Sequence, residues 1–161
     1  MLFRSTILLA STLVPMVIGF LWYNEKTFGR IWMQETGMTR EKAQGANMIK
    51  TFGFTILFSL MASVMLYQIV IHQNGLQSLV MGDKSIETQE WLKAALLKYG
   101  SNFRSFKHGA LHGFMTGLFL ILPAVGVSSQ FEMKSWKYIF ITAGYWMVSL
   151  MLMGGIICQW G

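Results

Sequence analysis

The sequence predicts an all-α polytopic membrane protein: a four-helix transmembrane bundle with short interfacial amphipathic helices. Of its 161 residues 53% are hydrophobic and only 12% are charged, whereas soluble domains carry about 25% charged residues. All of the charged residues, 13 Lys and Arg and 7 Asp and Glu, lie outside four uncharged runs: Ser5–Asn24, Thr51–Gly82, His108–Phe131 and Tyr138–Gly161. Each run has the roughly 20 residues that a helix needs to cross a hydrocarbon core of about 30 Å.

The four spans are expected at about residues 6–23, 51–71, 108–127 and 138–158, within a single transmembrane domain covering 1–161. The runs are apolar on all sides, whereas barrel strands alternate apolar and polar residues. Trp22 and Tyr23 follow the first run in place of a small-residue cleavage site, so an uncleaved helix is favoured over a signal peptide. Pro15 should bend that helix.

The connecting segments contain further helix signals. Thr39 is the expected N-cap of a helix that runs from Arg40 through Asn47 into the second span. The polar sequence HQNG at residues 72–75 predicts a turn that ends this span. A short amphipathic helix, capped by Thr88 and closed by Gly100, is predicted from a helically spaced apolar stripe, which comprises Trp91, Leu92, Ala95, Leu96 and Tyr99.

The third span carries Gly109, Gly113 and Gly117 at four-residue intervals, a ridge that lets another backbone approach closely. Its partner is expected to be either the fourth span, joined to it by only ten residues (128–137), or the same helix of another subunit. The second arrangement would produce a homo-oligomer. The ridge therefore predicts helix packing and leaves the oligomeric state open.

Three histidines, the only ones in the chain, should lie at one membrane face. His108 and His112 are one helical turn apart, and alternating spans bring His72 to the same end. Such imidazoles could bind a metal ion or haem iron, or relay protons. Alternatively, His72 and His108 lie in the headgroup layer and His112 bonds a neighbour on its own helix. The hypothetical ligand site also includes Tyr67 and Tyr145 as polar partners.

The sequence lacks the residues that several classes of function require. No carboxylate lies within a hydrophobic run, and the chain contains no Ser-His-Asp arrangement, P-loop or dinucleotide fingerprint, so no catalytic residue is predicted. The net charge of +6 is spread over the connections without a basic stripe, which argues against nucleic acid as a partner. No cofactor is predicted, with a metal or haem at the histidines as the alternative. The single Cys158 is expected to act as a small apolar residue.

Four segments of the chain carry a family resemblance: LWYNEKTFGRIWMQETGMT, GANMIKTFGFTILFSL, HGALHGFMTGLF and FEMKSWKYIFITAGYWMVSLMLMGGIICQW. In these segments the chain resembles a bacterial membrane-protein family, domain of unknown function 1761. The second connection has no counterpart and is longer than the family's usual one. The resemblance implies a multi-pass protein of the bacterial inner membrane and implies no activity.

Three functions remain open on the sequence. The first, favoured by the missing carboxylates and the Gly- and aromatic-rich faces, is a non-catalytic membrane subunit or accessory protein that binds a membrane-protein partner. The second is an oligomeric channel or transporter for small solutes. The third is a metal, haem or proton-handling protein that depends on the histidines. The counts of Lys and Arg on the two faces, six and seven, do not set the orientation.

Overall fold

The computed structural model describes residues 5–161, which form helices and no strands. In chain order the helices are α1 (Ser5–Trp22), α2 (Gly29–Thr36), α3 (Arg40–Gln44), α4 (Met48–Val70), α5 (Gln73–Leu79), α6 (Ile86–Tyr99), α7 (Phe106–Phe131) and α8 (Trp136–Trp160). Four of them, α1, α4, α7 and α8, are long and apolar enough to cross a membrane. The prediction of an all-α fold with four transmembrane helices is confirmed.

Helix α8 lies at the centre of the bundle. In its most apolar 18-residue window 44% of the residues are buried, against 22% for α1 and α4 and 11% for α7. Ala143, Met153 and Ile157 on α8 are fully buried, and the core around them includes Leu66 of α4 and Leu8 of α1. The other three helices therefore pack around α8 and leave most of their own apolar surface for lipid.

Helices α7 and α8 meet at the glycine ridge. A β-carbon on Gly109 would collide with the carbonyl oxygen of Gly154, and one on Gly113 with the carbonyl oxygen of Leu150. One on Gly117 would come within 2.7 Å of the α-carbon of Met147. Within this chain, the partner of the ridge is thus α8, and dispersion contacts between backbones hold the pair together.

Helices α1 and α4 meet through hydroxyl groups instead. Pro15 has no N–H, and α1 is interrupted just before it, at Thr12 and Leu13. The buried Ser11 hydroxyl donates to the carbonyl of Leu8 at 2.7 Å and lies 2.6 Å from the hydroxyl of Ser63 on α4. The two buried hydroxyls are thereby paired inside the bundle, and α1 is joined to α4.

A π-helical turn at Gly117–Ile121 divides α7 into Phe106–Thr116 and Leu122–Phe131. The N–H of Leu122 bonds to the carbonyl of Gly117, five residues earlier. Pro123 follows at once and cannot donate a backbone hydrogen bond, which explains why the register changes here. The turn lies at the end of the glycine ridge.

One expectation for the helix boundaries of the first connection was wrong. Thr39 caps α3 by accepting from the N–H of Lys42, but α3 ends at Gln44 and does not run through Asn47. Asn47 is itself the N-cap of α4, with its side chain accepting from Lys50 N at 3.0 Å. A second capping residue so close to the first makes two helices out of the predicted one.

Two further corrections concern the region after α4. The second span ends at Val70, as the turn predicted from HQNG requires, but the break covers only Ile71 and His72, and α5 begins at Gln73. Helix α6 is capped by Ser85, whose hydroxyl accepts from the N–H of Thr88, while the Thr88 hydroxyl donates to Asp83 at 2.7 Å. Thr88 thus belongs to the first turn of α6 and is not its cap.

Candidate metal site at the histidine cluster

Three structural elements place the histidines at one end of the bundle. The extended backbone of Ile71 ends α4 and turns His72 toward the start of α7. Ser105 caps α7 by accepting from the N–H of His108, which fixes where the helix begins. His112 follows one turn later on the same face. The alternating spans thus bring together residues that are 36 positions apart.

The three imidazoles form a compact triangle. Their ring centroids are 4.8 Å apart for His72 and His108, 5.0 Å for His72 and His112, and 4.5 Å for His108 and His112. The Nε2 atoms of His72 and His108 are 3.3 Å apart, and one ring nitrogen of each histidine lies within 4.8 Å of the others. His72 is exposed and the other two are half-buried.

This geometry suits a tetrahedral metal ion. With Zn–N bonds of 2.0–2.1 Å, two ligands of a tetrahedral site are about 3.3 Å apart, which is the separation between Nε2 of His72 and Nε2 of His108. The third nitrogen reaches the same separation by a movement of roughly 1.5 Å, within what a rotation of the imidazole allows. Three ligands leave a fourth position open for water or another ligand.

Phe103 covers part of the cluster in a strained conformation. Its φ of 61° lies in the left-handed region, which L side chains rarely adopt. Its ring lies 5.7 Å from that of His72 and 5.1 Å from that of His108. Its carbonyl oxygen accepts from the thiol of Cys158 at 3.2 Å and from the N–H of Ser105. Strain of this kind is found at functional sites where the surrounding contacts enforce it.

Cys158 links the elements that support the site. The sulfur lies 3.2 Å from the carbonyl oxygen of Phe103 and 3.5 Å from that of Val70, at the end of α4. The residue is fully buried, and its β-carbon lies against Gly109. Its role here is that of a hydrogen-bond donor that holds the cover residue and the end of α4 against α8.

One of the two tyrosines of the predicted site lies apart from the histidines. The Tyr145 hydroxyl donates to the carbonyl of Pro15 at 2.9 Å, and its ring packs against that of Tyr23. Because Leu150 faces Gly113, Tyr145 lies about 7.5 Å farther along α8, away from the histidine end. Tyr67 is half-buried and lines a groove with residues of α5. The structure brings the three histidines together and places Tyr145 away from them.

Sequence reasoning missed the cover residue and its anchor. Phe103 lies in a polar connection, where a single aromatic residue carries no helical or strand periodicity. Its proximity to the histidines depends on a positive φ that no local pattern indicates. Cys158 was interpreted only as an apolar residue, because its hydrogen-bond partners come from two distant segments.

The comparisons with known proteins identify a family and no activity. Residues 6–158 match the family described as "Protein of unknown function (DUF1761)". The chain belongs to this family. The comparisons with curated proteins and with solved structures found no match to this chain. The DUF1761 description states no activity, so a function for this DUF1761 chain has to be argued from the geometry of its own residues.

Proposed function

We propose that this chain is an integral membrane protein that binds a divalent transition-metal ion, Zn²⁺, through His72, His108 and His112. The observation that carries the proposal is the convergence of all three histidines of the chain on one point, with two Nε2 atoms 3.3 Å apart. Neutral imidazole is a good ligand for this ion.

The charge of the cluster supports a metal ion as its occupant. Two protonated imidazoles this close would repel each other, so the triangle favours neutral rings with free lone pairs. Among the described residues the metal-ligating group consists of histidines only, with no carboxylate in it. Because neutral imidazoles do not offset the charge of the ion, the occupied site would carry a net charge of about two. Its open position favours water, hydroxide or another electron-pair donor.

The compactness of the triangle favours a bare ion over haem. A haem held between two imidazoles needs a flat cleft between their rings. Here every pair of ring centroids is separated by 5.0 Å or less, which leaves no space for a porphyrin between any two of them. A visible spectrum of the purified protein checks this point, and we expect no haem absorption band.

The role that we propose for the metal is non-catalytic, in a membrane subunit or accessory protein of the bacterial inner membrane. The absence of carboxylates from all four spans supports it, because acid–base or proton-coupled chemistry there would ordinarily use one. Any self-association would have to use a surface other than the glycine ridge, which packs against α8. Mass by light scattering and solute flux in liposomes separate this role from an oligomeric channel.

Calorimetric titration with Zn²⁺ tests the proposal. The protein is purified in mild detergent with a tag that contains no histidine. We expect one ion per chain, with binding lost in the double variant His108→Ala/His112→Ala. Ser128→Ala, an exposed position on the second half of α7, is the matched control and should bind as the wild type does. Unchanged binding by the double variant, or an equal loss of binding in Ser128→Ala, would refute the histidine site.

A further inference from the structure

A polar groove lies at the junction of α4 and α5, next to His72 in sequence and not lined by it. Its volume is about 390 Å³, within the range of small-molecule sites. Six polar residues line it: Tyr67, Gln68, Gln73, Asn74, Gln77 and Ser78. Ile71 and Met81 complete the wall. None of the lining residues is charged, so the groove offers amides and hydroxyls alone.

Gln73 holds the wall of the groove in place. The residue is only 5% exposed. Its Nε2 donates to the carbonyls of Tyr99 and Asn102, at 3.0 and 2.9 Å, which fixes the orientation of the amide. Its Oε1 is buried, so a ligand in the groove does not reach it. The side chains that meet a ligand include the exposed amides of Gln68 and Gln77.

We infer that this groove binds a neutral polyhydroxyl group, such as a sugar ring. Amide side chains both donate and accept hydrogen bonds, and this matches a hydroxyl group, which also does both. An anionic phosphate or carboxylate would find no Lys or Arg among the lining residues. An organic cation would find no Asp or Glu. A ligand with several hydroxyl groups and no charge fits the uncharged amides and hydroxyls of this wall.

The position of the groove allows two sources for the sugar. Tyr67 and Gln68 lie in the last turn of α4, which spans the apolar layer, and Gln73–Leu79 follows directly. Tyrosine and amides at the end of a span belong to the boundary between lipid and water. A sugar headgroup of a glycolipid would reach the groove from the bilayer, whereas a free sugar would reach it from water.

Two probes in nanodiscs of phosphatidylcholine test the inference and avoid detergents with sugar headgroups. One is monoglucosyl-diacylglycerol mixed into the disc, and the other is methyl β-glucoside in solution. Native mass spectrometry measures the lipid, and calorimetry the soluble sugar. We expect Gln77→Ala, an exposed groove residue, to weaken binding about fivefold or more, as loss of one or two hydrogen bonds predicts. Gln44→Ala, an exposed amide on α3, is the matched control and should bind as the wild type does.

Each outcome has a definite meaning. Binding of the lipid alone assigns the groove to a headgroup, and binding of the soluble sugar assigns it to a free sugar. Both support a polyhydroxyl site when Gln77→Ala weakens them and Gln44→Ala does not. The inference is overturned if neither probe binds, or if Gln77→Ala and Gln44→Ala bind a probe equally well. Zinc titration of the same discs reports the histidine site independently.

Discussion

The two halves of α7, of 11 and 10 residues, have different roles. In Phe106–Thr116 the glycines at 109 and 113 are buried against the backbone of α8, whereas Gly126 in Leu122–Phe131 has no atom within 4 Å of where its β-carbon would stand. The first half carries His108 and His112. The comparison teaches that the candidate site stands on the half whose position is fixed by α8, so its rings are held before any ligand arrives.

The largest expected effect on stability is the difference between a leucine placed on the first half of α7 and a leucine placed on the second half. Gly113→Leu would drive a β-carbon into the carbonyl of Leu150, and neither backbone can move cheaply. We expect a loss of about 3 kcal/mol or more in the free energy of unfolding. Gly126→Leu enters open space and should leave stability nearly unchanged. Thermal unfolding and size-exclusion profiles in detergent compare the two, and equal losses would mean that the halves do not differ in packing.

A second prediction separates the halves by ligand response. Zn²⁺ at 100 times its dissociation constant should stabilise the folded protein by about 2.7 kcal/mol. His112→Ala should abolish this gain. Ser128→Ala, an exposed position on the second half, should keep it. A gain that survives in His112→Ala would place the zinc elsewhere. The gain should also disappear at acidic pH, because a protonated imidazole cannot bind the metal.

A third prediction concerns two residues with positive φ, one near each end of α7. Phe103 has φ 61° and Met133 has φ 53°. Glycine relieves such strain by about 1 kcal/mol relative to alanine, so Phe103→Gly should be more stable than Phe103→Ala by that amount. Met133→Gly should likewise be more stable to unfolding than Met133→Ala, by the same amount. Chemical unfolding without metal measures all four, and no difference within either pair would rule out stored strain.

The smallest effect is expected at the end of the bundle where the second half of α7 terminates. Arg40 donates to both carboxylate oxygens of Glu25, at 3.0 and 2.7 Å, and this hydrogen bonding, followed by the charge of Arg40, lowers the pKa of Glu25. A lowered pKa in the folded state stabilises the protein above the ordinary value of 4.5, and the effect is lost as the pH falls through the folded pKa.

Both side chains of this pair are exposed to solvent, so the contribution is small. At pH 7 without metal, Glu25→Gln should unfold slightly below the wild type. This gap in unfolding temperature should close as the solution is acidified below pH 4.5. Lys26→Gln, the neighbouring residue outside the pair, serves as the control. A gap that does not change with pH would mean that the charge of Glu25 does not stabilise the fold.

The sequence was sufficient for the spans and for the meeting of the histidines. Charges are costly in the hydrocarbon core, so their positions mark the runs that contain most of α1, α4, α7 and α8. Four-residue spacing puts His108 and His112 on one face, and alternation of spans adds His72. These inferences depend on periodicity and topology, both of which can be read along a chain.

The packing faces of the spans, the choice between capping residues and the conformation of Phe103 depend on contacts that the sequence pattern does not indicate. Spans that are apolar on all sides give no signal for which face meets a neighbour, so the bond from Tyr145 to Pro15 could not be foreseen. The start of α6 was also ambiguous, because Ser85 and Thr88 are both good capping residues. Only the backbone conformation decides between them. The positive φ of Phe103 is set by contacts from Cys158 and the histidines, which are distant in sequence.

X-ray absorption spectroscopy of the zinc-loaded protein tests the metal site most directly. The account predicts nitrogen or oxygen neighbours at 2.0–2.1 Å, with the outer-shell scattering of about three imidazoles per zinc. Loss of that imidazole scattering in the double variant His108→Ala/His112→Ala would complete the assignment. A sulfur neighbour at about 2.3 Å, or a shell of oxygen atoms without imidazole scattering, would contradict it.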